Sequence, residues 1–240
     1  MSLNILILAI GSNASENPAE NYPSCLSEDD GISLLEKIVS NTKTLINSSY
    51  TFAFLKKEID EYHLDRVANL LVNGANVVPI SEGTMGSACT SLLAACDLDL
   101  DNELLIISAN ELVDVDLLLP LKKFKQSNYD AGTIVFKSIH PRYSYVKLNE
   151  ESLVVQASQK KPISNTATTG IFWYKKTSLF IDAAKSCIVK SSLTDGKFYI
   201  APTFNELLLK HLKVGIFEIQ SNQYIPLKTN RQIYNFEKGV

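Results

Sequence analysis

Asn4-Ile-Leu-Ile-Leu-Ala-Ile10 runs straight into Gly11-Ser12-Asn13. A short unbroken apolar run of this kind suits a strand buried on both faces of a parallel sheet, because a strand with one wet face alternates instead. A polar loop over 12–31 follows, carrying Pro18, Pro23 and the acidic cluster Glu28-Asp29-Asp30. Leu34, Leu35, Ile38 and Leu45 then recur at near-helical spacing and predict a helix over 32–46. Tyr50-Thr-Phe-Ala-Phe-Leu55 is rich in β-forming residues and reads as a second strand. One helix is expected over 58–71, a short strand at Asn76-Val-Val-Pro-Ile80, a turn at 83–86 and a helix over 87–95. Glu103-Leu-Leu-Ile-Ile-Ser108 is another buried strand, and Asp114 reads as the N-cap of a helix through 125. This alternation argues for a parallel sheet with helices on both faces.

Beyond residue 125 the pattern changes. Strand-like runs at 132–136, 143–148, 153–157 and 169–174 are separated by turn signals. Helices are expected over 178–190 and 202–212, with a late strand at 215–219. No repeat, low-complexity tract or linker divides the chain. One α/β domain with a mixed sheet over 1–240 is the economical reading.

The 240 residues are 45% hydrophobic and 20% charged, ample for one sizeable core, and 10 Gly with 8 Pro are too few for a disordered or fibrous chain. A net charge of −3 excludes the broad basic footprint of a nucleic-acid binder, though not a local phosphate pocket. Cys25, Cys89, Cys96 and Cys187 form no C-x-x-C pair, and only His63, His140 and His211 accompany them, so metal-ligand spacing is absent. They are expected as free thiols in a reducing cytosol. The apolar start lacks a cationic leader, and no run is long enough to span a bilayer.

Five segments, taken in order, resemble the sugar-phosphate nucleotidyltransferases, the nucleoside-diphosphate-sugar pyrophosphorylases, of the short bacterial capsule and lipopolysaccharide type. They are Thr84-Met-Gly-Ser-Ala-Cys-Thr90, His140-Pro-Arg-Tyr-Ser-Tyr-Val-Lys147, Lys160-Lys-Pro-Ile-Ser164, Thr168-Thr-Gly-Ile-Phe172 and Phe198-Tyr-Ile-Ala-Pro-Thr-Phe-Asn-Glu206. The resemblance covers nearly the whole chain. It implies a Rossmann-like mixed sheet of glycosyltransferase-A type, a nucleotide or nucleotide-sugar ligand, and Mg²⁺ if the protein is active. A homo-oligomer or a protein partner is compatible with it.

Enzymes of this kind attack the α-phosphate of a nucleoside triphosphate and release pyrophosphate, so their sites work by positioning and by neutralising phosphoryl charge. The resemblance implies a loop of the form G-x-G-S/T-R, a P-K pair and strand-end acids for the metal. Here the loop reads Gly11-Ser12-Asn13-Ala14-Ser15, with Ser15 at the Arg position; Pro23-Ser24 lacks the Lys; and Asn110 stands for the strand-end Asp. A second acid gives way to Pro226-Leu-Lys228-Thr229, and Gln159 replaces a sugar-side Glu. The family match places Gly11, Ser12, Asn13 and Gly86 on the nucleotide side, and Gly132, Gln159, Lys161 and Gly170 on the sugar side. Asn110 and Asp114 are the candidate metal ligands. Lys160 and Glu111 are the candidate replacement catalytic charges.

Three readings follow. One is a divergent nucleotidyltransferase of surface-polysaccharide biosynthesis. The second is an inactive relative that binds a nucleotide, a sugar phosphate or a partner protein. The third is a metal-dependent glycosyltransferase using Asp114-Val-Asp116, a pair that equally suits a helix N-cap.

Overall fold

The computed structural model describes residues 2–10 and 22–238. The apolar run that opens the chain becomes β1 (Leu3–Ala9), buried along its whole length. A short hairpin of β2 (Glu28–Asp29) and β3 (Ile32–Ser33) leads to α1 (Leu34–Ser40). Next come β4 (Ser48–Leu55), α2 (Lys56–Tyr62), α3 (Leu64–Leu71), β5 (Asn76–Ile80) and α4 (Ser87–Ala94). β6 (Glu103–Ser108), β7 (Glu111–Val113), α5 (Leu118–Gln126) and β8 (Ala131–Lys137) follow. β9 (Ser144–Leu148), β10 (Val154–Gln159) and β11 (Thr166–Tyr174) precede α6 (Thr177–Val189) and α7 (Thr203–Leu209). The chain closes with β12 (Val214–Glu218), β13 (Tyr224–Pro226) and α8 (Asn230–Glu237).

Nine strands form one mixed sheet. β6, β1, β4 and β5 lie side by side and parallel. β11 joins β6 antiparallel, and β8 and β12 extend the sheet from its other edge. Pro79 sits in β5, at the sheet's edge, where a missing backbone donor costs no ladder bond. Alternate side chains point to opposite faces. Ile5, Ile7, Phe52, Phe54, Leu105 and Ile107 therefore join one core with Leu34, Leu64 and Phe124 from the helices. Leu6, Leu8, Ala53, Leu104 and Ile106 join the other, with Ala94, Phe180 and Phe204. The expected α/β architecture, a mixed sheet covered on both faces, is what the chain adopts.

Three expected elements differ. The helix over 32–46 stops at Ser40: Ser33 caps its start by accepting from the Glu36 amide at 3.2 Å, but Thr42 bonds back to the Val39 carbonyl at 2.6 Å and closes a turn. The helix over 58–71 breaks at His63, whose φ of 52° is left-handed. Its apolar phase had already slipped there, since Ile59 and Tyr62 do not continue into the Leu64, Ala68 and Leu71 stripe. Asp114 is no N-cap. α5 begins four residues later, and Asp116 Oδ1 accepts from the Leu118 amide at 3.0 Å and from Thr44 Oγ1 at 2.7 Å. The residues before Asp114 form β7, whose partner β13 lies far downstream.

Among the described residues the four cysteines are free, and burial pushes the Cys25 thiol up to about 12, which leaves it inert. Among the described residues no helix is long and apolar enough to cross a membrane.

Glu58 on α2 is a buried acid whose Oε1 has no hydrogen-bond partner among the described residues. Burial, opposed by Lys57, raises its pKa from an ordinary 4.5 to about 7. A raised acid pKa means that the folded state holds a proton that the unfolded chain has lost. Stability therefore falls as pH rises from about 4.5 to about 7 and is level above. Glu58→Gln is expected to add about 1–3 kcal/mol at pH 8 and almost nothing at pH 4. Urea unfolding at both pH values checks this, and an equal effect at the two would contradict it.

Candidate functional site

β11 changes neighbours halfway along one edge. Ala167 and Thr168 pair with β9, whereas Ile171 to Tyr174 pair with β6. Thr169 and Gly170 stand between, at the place where the parallel strands end and the antiparallel ones begin. Crevices at the carboxyl ends of strands, where the sheet order switches, are where α/β folds bind ligands. A cleft of about 230 Å³ opens here. Ser108, Asn110 and Glu111 reach it from the end of β6 and the start of β7. Arg142, Tyr143 and Ser144 reach it from the start of β9, and Gln159 and Lys160 from the end of β10. Thr168, Thr169 and Gly170 line it from β11, and Tyr199 and Lys228 add to the polar lining.

Glu111 is 3% exposed. A carboxylate taken out of water needs a partner, and it has two. Lys228 Nζ lies 2.6 Å from Oε2, and the Tyr224 hydroxyl donates to the same oxygen. Burial, reinforced by the Glu111 charge, holds the Tyr224 phenol well above its ordinary 10, so it stays protonated and remains a donor. The backbone fixes this triad. Pro226 sits opposite Glu111 in the β13–β7 ladder, and the Leu227 amide donates to the Asn110 carbonyl at 2.9 Å. The Lys228 amide donates to Gln232 Oε1 at 3.0 Å, on a helix whose Thr229 cap accepts from the Gln232 amide. Lys228 Nζ also lies 5.5 Å from the centre of the Tyr143 ring.

Gly170 makes room for the carboxylate. A Cβ there would fall 1.7 Å from Glu111 Oε1 and 2.6 Å from Ser108 Cβ. Beside it, Asn110 Oδ1 is buried with no hydrogen-bond partner among the described residues. On the other wall, Gln159 Oε1 accepts from Ser144 Oγ at 2.6 Å. Lys160 pairs with Asp195 at 2.9 Å and stands 5.6 Å from the Tyr199 ring centre; Asp195 holds its ammonium above the ordinary value. Arg142 lines the cleft and makes no ion pair among the described residues.

The cleft thus unites five of the residues singled out from the sequence: Asn110, Glu111, Gln159, Lys160 and Gly170. Gly86, Gly132, Lys161 and Asp114 lie outside its lining. Gly86, with φ of 100°, packs against the Phe198 carbonyl, which a Cβ would approach to 2.4 Å. Gly132 faces the Phe124 ring, in the core. Lys161 is exposed to solvent. Asp114 opens onto a separate groove with Glu36, Lys37 and Asn41. Gly11, Ser12 and Asn13 lie outside the described residues, as does Ser15. Arg142, Tyr143, Ser144, Tyr199 and Lys228 were not singled out as site residues. Arg142, Tyr143 and Ser144 fall within the His140 to Lys147 segment and Tyr199 within the Phe198 to Glu206 segment, and those segments were the available signal.

Mg²⁺ wants several hard oxygen ligands with compensating negative charge. Among the described residues the cleft offers two neutral amide oxygens, Asn110 Oδ1 and Gln159 Oε1, the latter already bonded to Ser144, and one carboxylate already held by an ammonium and a phenol. No group of three or more His, Cys, Asp or Glu side chains among the described residues is placed to hold a metal. This donor set does not fit a dication.

No protein-family model matches the chain, and no curated protein matches it. Solved structures do. The nucleoside-diphosphate-sugar pyrophosphorylase from Vibrio cholerae RC9 superposes with a TM-score of 0.81 at 18% identity, over 97% of this chain and 99% of that one. The fold is that of the nucleoside-diphosphate-sugar pyrophosphorylases. A protein described as a glucose-1-phosphate thymidylyltransferase from Bacillus anthracis, solved with sucrose, gives 0.78 at 16% identity over 99% and 94% of the two chains. A UDP-glucose pyrophosphorylase complexed with UDP-glucose gives 0.74 at 11% identity over 100% and 98%. Pyrophosphorylase folds of this length are matched end to end, while the identities are low enough for the cleft's chemistry to be this chain's own.

Proposed function

We propose that the cleft binds a phosphorylated sugar or a nucleotide sugar, and that the protein serves the supply of sugar nucleotides for a surface polysaccharide. The observation that carries this reading is the convergence of Arg142, Lys160 and Lys228 on one cleft that also presents amides and hydroxyls and whose one carboxylate, Glu111, is already paired. Arg142, free of carboxylate partners, suits bidentate contact with a phosphate. Gln159, Ser144, Thr168 and Thr169 suit the alternating donors and acceptors of sugar hydroxyls. The tyrosines Tyr143 and Tyr199 offer ring faces for a sugar or a base to pack on.

Catalysis by Mg²⁺-dependent transfer is not part of this reading, because Glu111 already carries an internal counter-ion. The binding relative is therefore preferred over the active transferase. Asp114 and Asp116 stand outside the cleft, so the glycosyltransferase reading draws no support from this geometry.

A thermal-shift screen with UDP-glucose, glucose 1-phosphate, CTP, UTP, dTTP, ATP and GTP tests the proposal. At least one phosphorylated compound is expected to raise Tm, and glucose alone to leave it unchanged. Arg142→Ala is expected to weaken binding by about ten- to a hundredfold, the worth of one charge-assisted contact. If no phosphorylated compound raises Tm, the reading fails.

A further inference from the structure

We propose that Lys228 is a resident cation of the cleft, a covalently attached ammonium that satisfies Glu111 and shuts divalent metal ions out. The consequence for binding rests on the phosphorylated-sugar reading above; the occupancy of the site by Lys228 does not.

Three observations meet at this place. The Lys228 ammonium is 2.6 Å from a carboxylate that has almost no contact with water. The backbone on either side of Lys228 is hydrogen-bonded, by the β13–β7 ladder and the Leu227 to Asn110 bond before it and at Lys228 itself to the Gln232 side chain. The fold thus places the base of the Lys228 side chain, and Glu111 holds its far end. Asn110 Oδ1, an oxygen suited to a hard cation, lines the same cleft and is buried without a hydrogen-bond partner among the described residues.

Charge decides what this arrangement accepts. Glu111 and Lys228 cancel, and Asn110 is neutral. A dication would have to expel the ammonium from Glu111 and then share a small cleft with it and with Arg142 and Lys160. An anion meets the opposite situation. An ammonium has three N–H donors, and only one is needed for Glu111. The others are available to a phosphate oxygen, so the positive charge usually brought by a metal is supplied by the chain. Removing Lys228 should therefore convert the site. The Glu111 charge would be left without its counter-ion in the cleft that Asn110 also lines, with space where the ammonium had been.

Mn²⁺ alone is the probe, with free ion counted by electron paramagnetic resonance during titration of the full chain. The unaltered protein is expected to bind no Mn²⁺ below about 1 mM. Lys228→Ala is expected to gain one site at least about thirtyfold tighter, and Mn²⁺ should raise that variant's Tm but not the parent's. Adding Glu111→Gln to Lys228→Ala should abolish the gained site. If Lys228→Ala does not fold, Lys228→Met, which keeps the apolar stem, is measured in its place with the same expectation. Two results overturn the proposal: Mn²⁺ binding to the parent that Glu111→Gln removes, or a folded Lys228 variant that gains no site. Failure of every phosphorylated sugar to bind, with the Mn²⁺ pattern as expected, would overturn the ligand reading and leave the place of Lys228 standing.

Discussion

Lys228→Ala is expected to cost about 3–5 kcal/mol of stability, the usual penalty for leaving one member of a buried ion pair without its partner. For a chain of this size that is a fall in Tm on the order of 10 °C. The effect comes from Glu111, not from the lysine stem. Tyr224 would still donate one hydrogen bond, but a single neutral donor does not replace an ammonium at 2.6 Å. The double variant Glu111→Gln/Lys228→Met should recover most of the loss, because it removes the stranded charge as well. Calorimetric unfolding of the three proteins checks this. A Tm within about 2 °C of the parent for Lys228→Ala would show that the pair is loose in solution, and the account of the cleft would lose its anchor.

Gly170→Ala should be nearly as damaging, for a different reason. The backbone at Gly170 is ordinary strand, and alanine would on its own be an improvement there by about 0.5–1 kcal/mol. The methyl, however, falls 1.7 Å from Glu111 Oε1 and 2.6 Å from Ser108 Cβ. Ser108 is fixed at the end of β6, so the carboxylate must yield, and turning it away from the methyl disturbs the contacts of its other oxygen with Lys228 and Tyr224. Overpacking and a broken buried pair together are expected to cost about 3–5 kcal/mol. In a Glu111→Ala/Lys228→Met background the cost should fall by about 2 kcal/mol, leaving the Ser108 contact, a coupling expected of side chains that touch. Equal costs in both backgrounds would mean that the methyl clashes with something else.

The sequence was most informative where the physics is local. β6 has the bounds its apolar run predicts, Glu103–Ser108, because a strand buried on both faces cannot hide its composition. The turn glycine before α4 and the strands of the antiparallel half were legible from alternation and turn residues. β7 and β13 were not. Each has three residues, and they meet across more than a hundred positions, as the Tyr224 to Glu111 hydrogen bond shows. No periodicity exists in three residues, and nothing local says which distant segment will pair. The Asp114 helix cap failed with them, because α5 starts only after this unseen ladder ends. α8 was also missed: its exposed stripe is polar, and only Phe236 on it is buried.

The site divides in the same way. Asn110, Glu111, Gln159, Lys160 and Gly170 were located by resemblance, and the fold gathers them into one cleft. Lys228 was noticed only as the place where an acid is missing. Its role became visible once the β13–β7 ladder brought it against Glu111. A basic residue where an acid is expected, together with a carboxylate next to the strand-end amide, is a charge exchange that the sequence does contain. It can be read only when the two positions are known to touch.

The central claim is that the chain supplies its own positive charge for a phosphorylated ligand. Titration calorimetry of UDP-glucose into the protein, once with EDTA and once with Mg²⁺, tests it most directly. Binding with the same affinity in both, within about twofold, is expected. Binding that appears only with Mg²⁺ would contradict it, and would show that Lys228 gives way to a metal.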